Sequence, residues 1–339
     1  MRFQLEVLVH RGPVLESRHE LEAVLCDAAG TPLARTARPG LVTTFRSSAK
    51  PFQLLPLVER GHADRLGLRD EELAVMAASH TGSPRHLELV RGVLDRLGLG
   101  PEHLACGYHD PEDAGSLAEI RSGAAPRSPL YNNCSGKHAG MLALCRAEGW
   151  PLEGYFRPQH PLQQTILRTI AEVCDLVPES IPIAIDGCSL VVFALPLQVM
   201  ARAYATLAVA ARASGGDART QALGRIARAM TSHPRVVEGG ARVSTAIMEA
   251  TAGRLLAKGG AEGLQLVALT DRAQGLAIKC VDGAQRAVGP ATFAVLEHLE
   301  ALSDAEQQGL AAVRRTVLRN AAGLEVGQVT AELRATAVA

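Results

Sequence analysis

Aromatic residues are scarce. The 339-residue chain carries one Trp, four Tyr and six Phe, 3% of the total. Base-stacking platforms and aromatic ligand cages are therefore disfavoured, and the core must be built from Leu, Val, Ile and Ala. There is no excess of either charge: 35 Lys and Arg balance 35 Asp and Glu. A generic nucleic-acid binder needs a basic stripe to displace phosphate counterions, and a polybasic membrane-surface protein needs a cationic cluster, so both classes are excluded as expectations. Long apolar runs are also missing. The longest, around Leu190 to Met200, is interrupted by Pro196 and Gln198 and is too short to span a bilayer. The opening MRFQLEVLVHRG lacks a basic segment followed by an apolar stretch, so no secretory leader is expected. No internal repeat, low-complexity segment or Pro/Ser-rich linker divides the chain.

What is present is the composition of a folded protein, 47% apolar and 21% charged. The length allows one large domain or two ordinary ones. The seven cysteines, Cys26, Cys106, Cys134, Cys145, Cys174, Cys188 and Cys280, are odd in number and widely spaced. Free thiols in a reducing cytoplasm are the expectation.

The periodicity changes along the chain. Phe3 to Val9 and Glu22 to Cys26 alternate as half-buried strands, and the turn at Asp27 to Gly30 leads into a partner at Thr31 to Thr36. Apolar residues then recur at helical spacing over Ala49 to Arg60, Asp70 to Ala78, Pro84 to Leu97, Lys137 to Glu148, Pro161 to Cys174, Pro196 to Ala213 and Ala218 to Met230. Strands return at Arg254 to Ala257, Gly263 to Leu269 and Gly275 to Val281. A helix follows over Ala291 to Leu302, with helical pattern continuing to Arg319. Strands at both ends and helices between them do not make the βα alternation of a doubly wound or barrel fold. The pattern predicts an α+β protein: an antiparallel sheet drawn from both termini and flanked by helices, with a helical lobe. The sheet lobe is expected over about 1–45 and 250–339, and the helical lobe over about 46–249, the two interlocked as one catalytic unit.

Five segments carry candidate chemistry. Ser47 and Lys50 form S-x-x-K, and three residues along a helix bring an ammonium to the same face as a hydroxyl. A lysine among other cations, or buried, sheds its proton and becomes a base for the serine. A Ser N-cap with a solvated Lys one turn later is the simpler reading of the same pattern. Ser79-His80-Thr81-Gly82 follows an apolar helix, where a polar run can equally be a cap. Lys258-Gly259-Gly260 ends an apolar strand, and its glycines leave backbone open to a ligand, or simply form a turn with an exposed Lys. This order approaches the three-part signature of serine β-lactamases and penicillin-binding proteins, with Ser-His-Thr in place of Ser-x-Asn and K-G-G in place of K-T-G. The fourth segment holds Cys134 and Lys137 and the fifth holds Asp186 and Cys188. Two cysteines and a lysine offer S and N donors to Zn²⁺ with a fourth position left for water, although two buried structural cysteines fit as well. His103-x-x-Cys106-x-x-His109 is a rival set of ligand spacing.

Together these segments resemble the asparaginase II family of rhizobial-type, class 3 L-asparaginases. The matching strings are FRSSAKPFQLLPLVERG, ASHTG…H, NNCSGKHAGMLAL, HPLQQ, IDGC, FALPL, SHP…R, IMEAT, AKGGAEG and GLAIK, in family order from about residue 45 to residue 280. The resemblance implies a β-lactamase-like fold and hydrolysis of L-asparagine to L-aspartate and ammonia. It implies Ser47 as nucleophile with Lys50, a second pair in Ser79 and Lys258, and zinc held by Cys134, Lys137 and Cys188. Arg46, His138 and Asp186 match positions around the substrate or the metal. The implied metal is structural or substrate-positioning, the implied partner is a small zwitterionic amino acid, and the implied assembly is a homodimer.

The chain departs from the family pattern at three points. Ser189-Leu190-Val191 stands for Gly-x-Pro after IDGC, Arg242-Val243-Ser244-Thr245 stands for R-x-D-T, and Ser83 replaces an acidic residue. These put strict asparagine selectivity in doubt before they touch amide hydrolysis itself. A related amidohydrolase, a β-lactamase or D-peptidase, and a catalytically dead metal- or amino-acid-binding protein are the competing readings.

Overall fold

A computed structural model describes residues 1–240, 242–314 and 316–336. They divide into two compact units. One comprises residues 1–48, 195–209 and the described part of 241–339; the other comprises 49–194 and 210–240.

The first unit is built on an antiparallel sheet. Its strands run in the order Thr316–Arg319, Glu325–Ala335, Phe3–Arg11, Val14–Asp27, Gln274–Cys280, Leu264–Leu269 and Leu255–Gly260, and Pro32–Arg35 pairs alongside Val14–Asp27. Chain beginning and chain end thus meet inside one sheet, with Phe3 opposite Ala335 and Arg11 opposite Gly327. Every residue of Leu264–Leu269 is buried, and so is every residue from Gly275 to Cys280. Successive strand residues point to opposite faces, so this part of the sheet is covered on both. Gly275 shows how closely one helix approaches. A Cβ there would lie 2.0 Å from the Ala201 carbonyl oxygen and 2.4 Å from the Ala205 amide nitrogen, so the helix backbone rests against the strand.

One expectation fails in this unit. Instead of helical pattern to Arg319, short helices at Asp304–Gly309 and Ala311–Arg314 give way to the strands Thr316–Arg319 and Glu325–Ala335. The hairpin turns at Asn320, whose side chain accepts from the amides of Ala322 and Leu324, and at Gly323 with φ 80°. Pairing of Glu325–Ala335 with the first strand, more than 300 residues away, overrides a weak local pattern.

The second unit is mainly helical. Lys50–Glu59 packs on Ser135–Glu148, Pro161–Cys174 and Ala218–Ser232. Ser135–Glu148 is buried without interruption from Ser135 to Cys145, so it is a core helix rather than an amphipathic one. A short hairpin, Ile183–Ile185 paired with Val191–Phe193, carries the Asp186–Ser189 loop at its tip. Among the described residues no helix is long and apolar enough to cross a membrane.

Gly136 fixes how closely the helix start bearing Cys134 and Lys137 can approach its neighbour. A Cβ at Gly136 would fall 2.1 Å from the Val75 carbonyl oxygen and 2.8 Å from its carbon. Backbone cannot yield as a side-chain tip can, so Gly136→Ala is expected to destabilise the protein by about 3 kcal/mol. Chemical denaturation should show this as a lowered midpoint; an unchanged midpoint means that the close approach is absent.

Candidate functional site

In the first unit, Ser47 sits in a tight 3₁₀ turn, Arg46–Ala49, that ends the chain's entry into the helix Lys50–Glu59. Arg46 adopts φ 45°, a left-handed conformation uncommon for a non-glycine residue and frequent where a turn is held for function. The two adjacent serines are not equivalent. Ser48 is fully buried, its hydroxyl donates to the Lys258 carbonyl at 3.0 Å, and its own carbonyl accepts from the Tyr204 hydroxyl at 2.9 Å. Ser47 is half-buried. Ser48 therefore pins the turn to the Leu255–Gly260 strand. Gly260 keeps that strand close, since a Cβ there would lie 3.2 Å from Ser48 Oγ and 3.3 Å from Arg46 Cβ. Lys258 is fully buried, and its ammonium donates to the Gly259 carbonyl at 2.8 Å.

In the second unit, Lys50 is the first residue of its helix, with Pro51 beside it in the turn where a missing amide hydrogen costs nothing. Its side chain is 1% exposed. The ammonium donates to Ser79 Oγ at 2.9 Å and to the Ala78 carbonyl. Ser79 lies just past the helix Asp70–Met76 and is tied down by its amide, which donates to the Val237 carbonyl at 2.8 Å. The next residue explains the polar run. The Gly82 amide donates to His80 Nδ1 at 3.1 Å, so the ring hydrogen is on Nε2, which donates to Ser135 Oγ at 2.9 Å. That hydroxyl passes its own hydrogen to the Leu130 carbonyl. His80 thus links Ser79's segment to the start of the Ser135–Glu148 helix.

At that same helix start the second unit brings Cys134, Lys137 and Cys188 together, all buried. Lys137 Nζ donates to Cys188 Sγ at 3.1 Å, and Cys134 is near enough to both for them to act on its thiol. The Cys188 thiol holds the Cys134 thiol well below its ordinary value; burial opposes this, and the Lys137 charge supports it. Burial works against the Lys137 ammonium, but Cys134, Cys188 and Asp186 outweigh it and raise its pKa. Two sulfurs converging out of water are donors of the kind zinc takes, and the Lys137 nitrogen beside them becomes a donor only on losing its proton. Asp186 borders them, its carboxylate 3.9 Å from Cys188 Sγ, in the Asp186–Ser189 loop. His138, on the next position of the helix, is fully buried. Its Nδ1 lies 2.6 Å from the Tyr155 hydroxyl, while Nε2 has no hydrogen-bond partner among the described residues. Burial first, then the Lys137 and Lys50 charges, keep this imidazole neutral by lowering its pKa.

The rival set does not converge. His103 is engaged with Gly100, the Cys106 thiol points to the Pro129 carbonyl, and His109 Nε2 accepts from the Asn133 amide at 2.9 Å. His109 instead braces the loop before Cys134. So does Asn132, which donates to the Cys106 carbonyl and accepts from the Cys134 amide, both at 2.9 Å. Asn132 stands inside the quoted NNCSGKHAGM string, whereas nothing around Tyr155 in the sequence marks it as a partner of His138.

The departures acquire structural meaning. Ser189 has φ 72°, a conformation that glycine adopts without strain. Ser189→Gly is therefore expected to stabilise the loop by up to about 1 kcal/mol, read as a rise in thermal midpoint. No rise would mean that the serine is relaxed there. Ser244 is fully buried, and its hydroxyl accepts from Gln265 Nε2 at 3.2 Å, so a neutral pair occupies the place of the missing acid.

The model of the L-asparaginase II family matches residues 7–331. A search of curated proteins found no match.

Proposed function

This chain belongs to the L-asparaginase II family, and from that membership, which makes it an amidohydrolase, we propose that it hydrolyses the side-chain amide of L-asparagine through an acyl-enzyme on Ser47. The observation that carries this reading is the buried Lys50, one turn after Ser47, with its nitrogen 2.9 Å from the Ser79 hydroxyl. A lysine taken out of water loses its proton more readily, and a neighbouring serine gives that proton a route onward.

In the proposed reaction Ser47 Oγ attacks the amide carbon while neutral Lys50 accepts its proton. The Ser47 backbone amide stabilises the oxyanion. The proton passes through Ser79, with Lys258 as the second lysine of the relay, to the departing nitrogen; the C–N bond breaks and ammonia leaves. Water then cleaves the aspartyl ester, giving L-aspartate and restoring Ser47. Arg46, His138 and Asp186 grip the α-amino and α-carboxylate ends of this small zwitterion.

Cys134, Lys137 and Cys188 would hold Zn²⁺, which supplies a fixed positive charge and braces the loop bearing Asp186 when bound. Lys137 must give up its proton to serve as a ligand, and displacement by a dication is a sufficient drive. Cys188→Ala is expected to remove one zinc per chain by elemental analysis and to lower kcat/KM by roughly 10- to 100-fold. Full zinc content in that variant would dispose of this site. A serine β-lactamase-like architecture is part of the same reading, supported by the presence of one unit with a sheet drawn from both chain ends and a second that is mainly helical. So are a homodimer and a cytoplasmic location, the latter supported by the burial of all seven cysteines. The deciding assay is ammonia release from L-asparagine, L-glutamine and buffer, with a chromogenic β-lactam in parallel. Turnover of asparagine supports the proposal; turnover of the β-lactam alone, or of nothing, rejects it.

A further inference from the structure

A second cluster of ligand-type side chains lies in the sheet of the first unit. Val14–Asp27 and Gln274–Cys280 are antiparallel with Leu21 opposite Cys280, and the Val281 amide donates to the Glu20 carbonyl at 2.9 Å. Continuing the ladder by one step sets His19 opposite Asp282. With a period of two, Cys280 and Asp282 share a face, and His19 shares it with them. The side chains meet accordingly. His19 Nδ1 is 2.7 Å from Asp282 Oδ2, and Cys280 Sγ donates to Asp282 Oδ1 at 2.9 Å. One ligand atom from each lies within 4.8 Å of the others. Histidine and cysteine are buried, 6% and 0% exposed, and the carboxylate is open to solvent, which gives the cluster an entry side.

We propose that His19, Cys280 and Asp282 form a binding site for a thiophilic divalent cation of the zinc type, with water completing the coordination. Thiolate, imidazole and carboxylate are each zinc ligands, and ligand atoms around a tetrahedral zinc stand about 3.3–3.8 Å apart. The three atoms need to open by only about 1 Å from their present hydrogen bonds to admit the ion. The cation takes the place of the Cys280 thiol proton, which leaves to solvent, and two anionic ligands then balance its charge. One group competes. Exposed Arg286 donates Nε–H to His19 Nε2 at 3.0 Å, which places the ring hydrogen on Nδ1, the atom that must bind the metal. Binding moves that hydrogen to Nε2 and turns Arg286 out. Occupation would staple the second strand to the turn after Cys280.

Co²⁺ is the probe, because its thiolate charge-transfer absorption reports a metal–sulfur bond. Metal-free Cys134→Ala/Cys188→Ala protein is titrated, so that the other candidate site cannot contribute. One Co²⁺ per chain with thiolate absorption is expected, abolished by a further Cys280→Ala and weakened at least roughly tenfold by Asp282→Asn. Arg286→Ala is expected to tighten binding several-fold. Absence of the band in correctly folded double variant, or its survival in Cys280→Ala, overturns the proposal. Should the double variant not fold, zinc content of the otherwise unaltered protein must fall by one per chain in Cys280→Ser; an unchanged content overturns the proposal equally. Neither result depends on whether Cys134, Lys137 and Cys188 hold zinc.

Discussion

Ser47→Ala is expected to lower kcat for asparagine hydrolysis by at least about 10⁴-fold while changing stability by less than about 1 kcal/mol, because a half-buried hydroxyl is removed and no core contact is lost. The informative control is the neighbour. Ser48 is buried, and its hydroxyl is committed to the Lys258 carbonyl, so Ser48→Ala should leave that carbonyl without this donor and cost about 1–2 kcal/mol of stability. Its chemistry should survive at a reduced level set by a looser turn. The two serines thus separate a chemical defect from a structural one, and mass spectrometry of a quenched reaction adds a direct readout. An aspartyl adduct should appear on the peptide containing Ser47 and vanish in Ser47→Ala. If Ser47→Ala retains most turnover, or if the adduct maps to Ser48, the nucleophile is misassigned.

The sequence carries unequal amounts of information about the parts of this molecule. Local periodicity was sufficient for the helices Pro84–Arg96 and Pro161–Cys174, whose apolar stripes face a core, and for the central strands, whose continuous apolar runs are bounded by glycines. It was insufficient for Glu325–Ala335, half-exposed along most of its length and organised only by its distant partner. At the candidate site, each spacing alone has a simpler structural reading; the residue types that bear chemistry were legible because the segments holding serine, lysine and cysteine occur together in one order. Their environments were not. Which serine of the Ser47–Ser48 pair is tied to the sheet, and that Lys50 points at Ser79, depend on packing between segments far apart in the chain. Tyr155 against His138 and the His19–Cys280–Asp282 cluster were invisible for the same reason, since neither pair of segments shares a local pattern. Ser189 is the converse case: the substitution for glycine was visible, and the backbone angle that gives it an energetic meaning was not.

Lys50→Met is expected to lower kcat by about 10³-fold or more, with the protein still folded. Methionine matches the length of the lysine stem and suits a side chain that is 1% exposed, so the packing survives. What disappears is a nitrogen that donates to Ser79 Oγ and the Ala78 carbonyl. Leaving that carbonyl without this donor costs about 1–3 kcal/mol, while removing a buried ammonium returns part of its desolvation penalty, so the net change in stability should be small. Lys50→Arg sharpens the distinction between a base and a fixed charge. Arginine keeps the positive charge and the donors but does not give up a proton at any working pH. If Lys50 deprotonates Ser47, Lys50→Arg should be as inactive as Lys50→Met, and exogenous small primary amines should restore part of the Lys50→Met activity with a rate that climbs as their free-base fraction rises with pH. If Lys50 serves only to hold Ser79 and neutralise charge, Lys50→Arg should keep at least about a tenth of the activity and amines should do nothing. That second outcome would transfer the role of first base to Lys258, the other fully buried lysine beside the Ser47 turn.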